Sequence, residues 1–311
     1  METKTSHIEN PGSGHSHHSW FDWLRLVALV LLWGTGFALL KTAIVDIPPT
    51  TVVMGRLWIG AILLLAWMKY RGQSLPRLLP PVDKHWKWFL ALGLTGASIP
   101  FALISWGQQV LPSALTAILM ATMPLVTAAL AHFLVPGERM GLRKLSGLLI
   151  GFAGVAILMG PQMLTQMGGP GFLAQLAVIA GAILYAVQII IARKMPPVPA
   201  SVVTCGLLLC AAIAITPFGL VAAINMPMPG IKSLLSVLAL GVGATAIAGI
   251  IMMALIHDAG PGFTSLSNYL MPMVAVAVGL AIGETLGVNV WIALVVILVG
   301  LILAGYRSKV I

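Results

Sequence analysis

The sequence predicts an all-α polytopic membrane protein, with ten transmembrane helices arranged as two inverted five-helix repeats and both termini cytoplasmic. Three observations lead there. The 311 residues are 59% hydrophobic and only 8% charged, with a mean hydropathy of +1.02; soluble domains carry roughly 25% charged residues. Apolar runs long enough to cross a bilayer recur between Pro, Gly and charged residues. The second half of the chain also echoes the first.

Residues 1–22 are predicted to be a disordered cytoplasmic tail. The opening "METKTSHIENPGSGHSHHSW" is polar and lacks the charged-then-apolar order of a cleaved signal peptide. Its histidines His7, His15, His17 and His18 are read as part of that tail rather than as metal ligands. A helix needs about 20 apolar residues to cross the hydrocarbon core. The runs that qualify are 24–44, 50–69, 86–107, 112–135, 143–160, 171–193, 199–223, 232–256, 261–282 and 287–306.

Orientation follows from lysine and arginine. With the N-terminus inside, one side receives Lys4, Arg25, Lys69, Arg71, Arg77, Lys84, Lys87, Arg139, Arg143, Lys144, Arg193, Lys194, Arg307 and Lys309. The other keeps Lys232, while Lys41 and Arg56 fall within spans. That is 14 against 1, so the positive-inside rule puts both termini in the cytoplasm. The net charge of +9 is scattered between apolar runs rather than gathered on one face. It therefore points to membrane lipids as partners and not to nucleic acid.

A shift of 148 positions places "ALGLTGASI" from Ala91 on "ALGVGATAI" from Ala239, and "TAILMATMPLV" from Thr116 on "TSLSNYLMPMV" from Thr264. Both copies then reach a Gly-Glu pair, Gly137–Glu138 and Gly283–Glu284. At a slightly different shift, "WGTGFALLK" falls on "YAVQIIIAR", matching Trp33 to Tyr185. The domains predicted are thus 23–160 and 171–306. Five helices per copy is an odd number, so the second copy crosses in the opposite sense, as in many secondary transporters.

Ionisable groups within a membrane are candidate functional groups. Every carboxylate here lies in a tail, a loop or a span end. Lys41 and Arg56 have two readings: snorkelling to the interface or bonding helix-end carbonyls, and attraction of a substrate carboxylate. Trp33 and Phe37, four apart, share a helix face near mid-depth, beside Gly34 and Gly36. Ser98, Phe101 and Trp106 on the third run, Tyr185 and Gln188 on the sixth, and Ser267, Asn268 and Tyr269 on the ninth are placed at comparable depths. All ten, Trp33 and Phe37 included, are read either as ordinary packing or as the wall of an aromatic-lined cavity with a few amides and hydroxyls. Pro124 and Pro272 are repeat mates that each remove a backbone donor, and are predicted to be hinges. Cys205 and Cys210 fit no metal or redox spacing, and no metal site or cofactor is expected. Gly147-x3-Gly151 and Gly300-x3-Ala304 are small-residue packing faces.

In order, "WGTGFALLK", "PPTTVVMGRLWIGAILLL", "PSALTAILMATMPLVTAALAHFLVPGER", "LSGLLIGFAGVAIL" and "MPMVAVAVGLAIGE" resemble the drug/metabolite transporter superfamily, specifically its ten-helix EamA-type exporters. Within it the chain looks most like the YddG-type exporters of aromatic and other neutral amino acids. The resemblance covers about residues 24–306 and implies a multi-pass protein of the bacterial inner membrane, exporting small-molecule substrates by alternating access. The glutamate that compact four-helix relatives carry in their first helix has no counterpart here, so obligatory proton coupling is not expected. The alternatives are a proton-coupled exporter of hydrophobic drugs or another metabolite class and, more distantly, a channel or a membrane-embedded enzyme. The chain lacks HExxH, Gly-x-Ser-x-Gly and P-loop patterns and any ring-forming selectivity motif. A monomer suffices for the transporter reading, and the oligomeric state is left open.

Overall fold

A computed structural model describes residues 19–78, 83–134, 140–160 and 169–305. The histidine-bearing tail and the Gly137–Glu138 motif lie outside these residues. Among the described residues every regular element is helical.

Helix α1 (Trp20–Ala43) begins earlier than the apolar run suggested. Ser19 Oγ accepts from Phe21 N at 3.3 Å, and Asp22 accepts from Ser19 N at 3.0 Å, a capping box that satisfies helix-end amides reciprocally. Residues 19–22 are therefore helix start rather than tail, and Asp22 is buried. The aromatic and charged run "WFDWLR" had hidden the start signal.

The chain continues through α2 (Pro49–Tyr70), α3 (His85–Gly93) and α4 (Ile99–Gly107), the last two joined by a π-helical turn at Leu94–Ser98. Then come α5 (Ser113–Met120), α6 (Thr122–Leu134), α7 (Leu142–Met159), α8 (Pro170–Lys194) and α9 (Ala200–Ala223). A second π-helical turn, Leu240–Ile247, joins α10 (Ile231–Ala239) to α11 (Ala248–Asp258). The chain ends with α12 (Gly260–Thr264), α13 (Ser267–Ala281) and α14 (Val288–Gly305). Counting the joined pieces as single rods, eight helices among the described residues are long and apolar enough to cross a membrane, and two further apolar helices, at 267–281 and 288–304, are shorter. The protein is an all-helical membrane protein. Leu24, Val27 and Leu31 of α1 and Ile292, Val295, Val299 and Ile302 of α14 are exposed along helical stripes that suit contact with acyl chains.

Helix α1 lies between α13 on one side and α10, the second π turn and α11 on the other. Helix α8 lies against α6 and α4. Helix α2 packs on α9 and on the second π turn, while α9 packs on α2 and the first π turn. Helices α7 and α14 pack tightly on each other. A Cβ on Gly300 would meet the Gly151 backbone at 2.5 Å, and one on Gly147 would meet Ala304 N at the same distance. The small residues thus bring two backbones into direct contact.

Of the two predicted hinge prolines, Pro124 lies close to a helix break and Pro272 does not. Between α5 and α6 the helix breaks at Ala121, three residues before Pro124, and Thr122 Oγ1 donates to the Leu119 carbonyl at 2.8 Å. In the second copy the break lies at residues 265–266, where Ser267 Oγ donates to Thr264 O at 2.8 Å. Pro272 itself sits inside α13.

Candidate functional site

The two ends of the bundle are called proximal, where α1 starts, and distal, where it ends. Between them, the aligned repeat stretches are where the helices change geometry. Both π turns lie on the matched segments beginning at Ala91 and Ala239. Such turns occur frequently at functional sites. In each, a hydroxyl reaches the carbonyl five residues back: Ser98 Oγ to Gly93 O at 3.5 Å, and Thr245 Oγ1 to Leu240 O at 2.9 Å.

Thr245 also accepts from Arg56, Nε at 3.3 Å and Nη2 at 3.2 Å. Arg56 is 8% exposed, so its side chain stays in the protein and does not snorkel. Its guanidinium carbon lies 3.9 Å from the centre of the Phe101 ring, a cation–π geometry. Phe101 stands 6.2 Å from the Tyr185 ring. One turn further along α8, the Gln188 carboxamide covers Gly96 of the first π turn, in space a Cβ at residue 96 would occupy. Arg56, Phe101, Tyr185, Gln188 and Thr245 thus form one constellation joining α2, α4, α8 and both π turns. Sequence reasoning named four of the five. Thr245 was missed, although it stands in the repeated "ALGVGATAI" and is the hydroxyl of that stretch.

The other candidates divide. Trp33, Phe37, Tyr185 and Tyr269 pack against the same apolar cluster. Gly34 abuts Val274 of α13, and Gly36 faces Ala244 and Leu240 at the second π turn. The glycines of "WGTGFALLK" therefore admit neighbours on both sides while Trp33 and Phe37 stay half-buried. Tyr269 donates its hydroxyl to Leu301 O at 3.3 Å, which ties it to α14. Asn268 is half-buried near the proximal end, and Ser98 and Ser267 are buried with their hydroxyls on backbone carbonyls. The equal depth expected of these residues does not hold for Trp106. It occupies the last turn of α4 and is 46% exposed, a position suited to an interfacial indole.

Lys41 is likewise committed. Its Nζ donates to Gln108 O at 2.6 Å and Leu111 O at 2.9 Å, satisfying carbonyls beyond the end of α4. Of its two readings the geometry gives the helix-end one. Two distal cavities, about 370 Å³ around Asp46 and Asn225 and about 400 Å³ around Gln175 and Asn289, are lined by none of the predicted residues. Both cysteines are free.

Residues 23–160 and 172–306 match the EamA-like transporter family. The chain belongs to the EamA-like transporter family. Among its relatives is the uncharacterized inner membrane transporter YedA of Escherichia coli (strain K12), 27% identical over 281 residues, covering 89% of this chain and 88% of that one. Another is the uncharacterized transporter YoaV of Bacillus subtilis (strain 168), 26% identical over 166 residues, 53% of this chain and 54% of that one. A solved crystal structure with 23% identity superposes with a TM-score of 0.65, covering 91% of this chain and 97% of its own, so the fold is shared. The EamA chain described here is thus a multi-pass membrane protein of a transporter family.

Proposed function

We propose that this EamA chain is a secondary transporter of the bacterial inner membrane that exports small metabolites, above all aromatic and other neutral amino acids. It works by alternating access between two inverted five-helix repeats, with ten spans, cytoplasmic termini and no obligatory proton coupling. It carries no enzymatic activity.

One observation carries the reading: the two π turns occupy matched positions of the repeat, and each packs on the second helix of the opposite half. The wider packing agrees. Exchange α1 with α8, α2 with α9, α3–α4 with α10–α11, α5–α6 with α12–α13 and α7 with α14. The contact of α1 with α13 then becomes that of α8 with α6, and α4 with α8 becomes α11 with α1. Because an odd number of spans separates the mates, such an exchange amounts to a two-fold axis in the membrane plane. The substrate class rests on the rings of Phe101 and Tyr185 beside a guanidinium and a carboxamide, apolar breadth with polar ends. The name of YedA and the 14-to-1 charge split support the membrane and the orientation.

Reconstituted protein tests this. Saturable counterflow of labelled phenylalanine and leucine is expected, and a pH difference imposed on equal amino-acid concentrations should build no solute gradient. A gradient driven by pH alone would turn the reading toward a proton-coupled exporter. Non-saturable flux would mark a channel.

A further inference from the structure

Arg56 poses a chemical question that the fold leaves open. Taking a cation out of water is costly unless charge compensates it. A guanidinium has five N–H donors, and the two assigned ones, on Nε and Nη2, share the single oxygen of Thr245. The Thr245 proton is spent on Leu240 O, so the hydroxyl offers only lone pairs and fixes one side of the fork. The ring of Phe101 covers a face. Every carboxylate among the described residues is engaged elsewhere: Asp22 and Asp258 with Arg25, Asp46 with Gly230 and Ser233, Asp83 with His85, and Glu284 with Ser113 and Ala114.

We infer that Arg56 is the carboxylate subsite of the transport path: its free fork edge binds the carboxylate of the solute, Thr245 holds the guanidinium, and Phe101 with Tyr185 receives an apolar or aromatic side chain. This rests on the transporter reading and deepens it to a substrate class, monocarboxylates and zwitterions rather than cationic drugs. An arginine fork matches a carboxylate in two parallel bonds, which an ammonium does not reproduce. The pairing also explains how a buried cation is tolerated between the second π turn and α4. Its counter-charge arrives with the cargo.

Purified protein in detergent separates this subsite from the transport reading. The probes are 3-phenylpropionate and 3-phenylpropionamide, which differ only at the charged end, and binding is read as a concentration-dependent thermal shift. Wild-type protein is expected to prefer the carboxylate by roughly tenfold or more, the range of a hydrogen-bonded charge, and Arg56→Gln should bring that ratio to about one. Arg56→Lys keeps the charge but loses the fork, so its ratio should fall several-fold; it decides the matter if Arg56→Gln does not fold. A wild type indifferent to the two probes, or an unchanged ratio in the substituted protein, overturns the subsite. Carboxylate preference without amino-acid counterflow would instead reject the proposed transport activity and leave the subsite standing.

Discussion

The two ends of the bundle hold their helices together by different chemistry. At the distal end, charged side chains address backbone groups of helix ends. Glu284 accepts from Ser113 N at 2.6 Å and Ala114 N at 3.0 Å, at the start of α5. Asp46 accepts from Gly230 N at 3.1 Å and Ser233 Oγ at 2.7 Å, at the start of α10. Lys41 takes the carbonyls of Gln108 and Leu111. Both carboxylates stand where unpaired amides and the helix dipole favour negative charge, and Lys41 stands where carbonyls favour a cation. Between helices at the proximal end, side chain meets side chain. Arg25 pairs with Asp258 at 2.6 Å with the two side chains 38% and 42% exposed, and Ser201 donates to Gln73. Glu284, half-buried on the amides of the buried Ser113 and Ala114, has fewer alternatives in water than an exposed ion pair, whereas Asp46 and Gly230 are exposed. The Glu284 contact is therefore firmer than the Arg25–Asp258 pair.

Breaking the Glu284 contact should have the largest effect. Glu284→Ala leaves two helix-start amides, beside the fully buried Ser113, without their acceptor, and a loss of about 2–3 kcal/mol is expected from charge-assisted bonds of this kind. Equilibrium unfolding in mixed micelles measures it. A single cysteine at Leu111, buried at that end, should also react several-fold faster with an impermeant thiol reagent in the variant, after both native cysteines are replaced. If stability and labelling both match the parent, the distal contacts contribute no closure.

The proximal counterpart should be mild. Arg25→Ala is expected to cost about 0–1 kcal/mol, the range of exposed ion pairs, and less at high salt. A loss equal to that of Glu284→Ala would erase the contrast between the ends.

The smallest effect is expected at Asp83. Its carboxylate accepts from His85 N at 2.9 Å and meets His85 Nδ1 at 2.6 Å, and the backbone bond from His85, ahead of its ring, holds the acid below the ordinary carboxylate range. A carboxyl whose pKa is lower when folded stabilises the fold above its unfolded value and loses that contribution as pH falls through the folded value. Asp83→Asn should thus melt slightly lower than the parent at neutral pH. The gap should close as pH drops below about 3.9, the free aspartate value. A gap that is independent of pH would place the effect in packing.

Much of this architecture was legible in the sequence because apolar runs and their punctuation encode length directly. The first seven runs and the eighth coincide with membrane-length rods to within a few residues. The repeat alignment located both π turns without naming their geometry, since matching residues reveal equivalence and not hydrogen-bond register. Side-chain partners were harder. Arg56 and Thr245 are 189 positions apart, and Lys41 and Gln108 are 67 apart; nothing local reports the rotation of helices that makes them meet. Trp106 was misplaced for a related reason: its depth depends on the end of α4, which closes with a turn at Gln108–Val110. At Ser19 the signal was local, but an aromatic flank obscured it.

Each π turn carries one residue more than a regular helix of the same reach. Such an extra residue resembles a dislocation in a lattice: moving it by one position would exchange hydrogen bonds locally rather than unwind the whole helix. Passage past a given side chain turns it by about 100° and advances it by about 1.5 Å. For Thr245, a displacement of that size would swing the hydroxyl away from Arg56, whose Nε and Nη2 it now accepts from. A change of partner at the arginine would then need no more than the shift of one such residue.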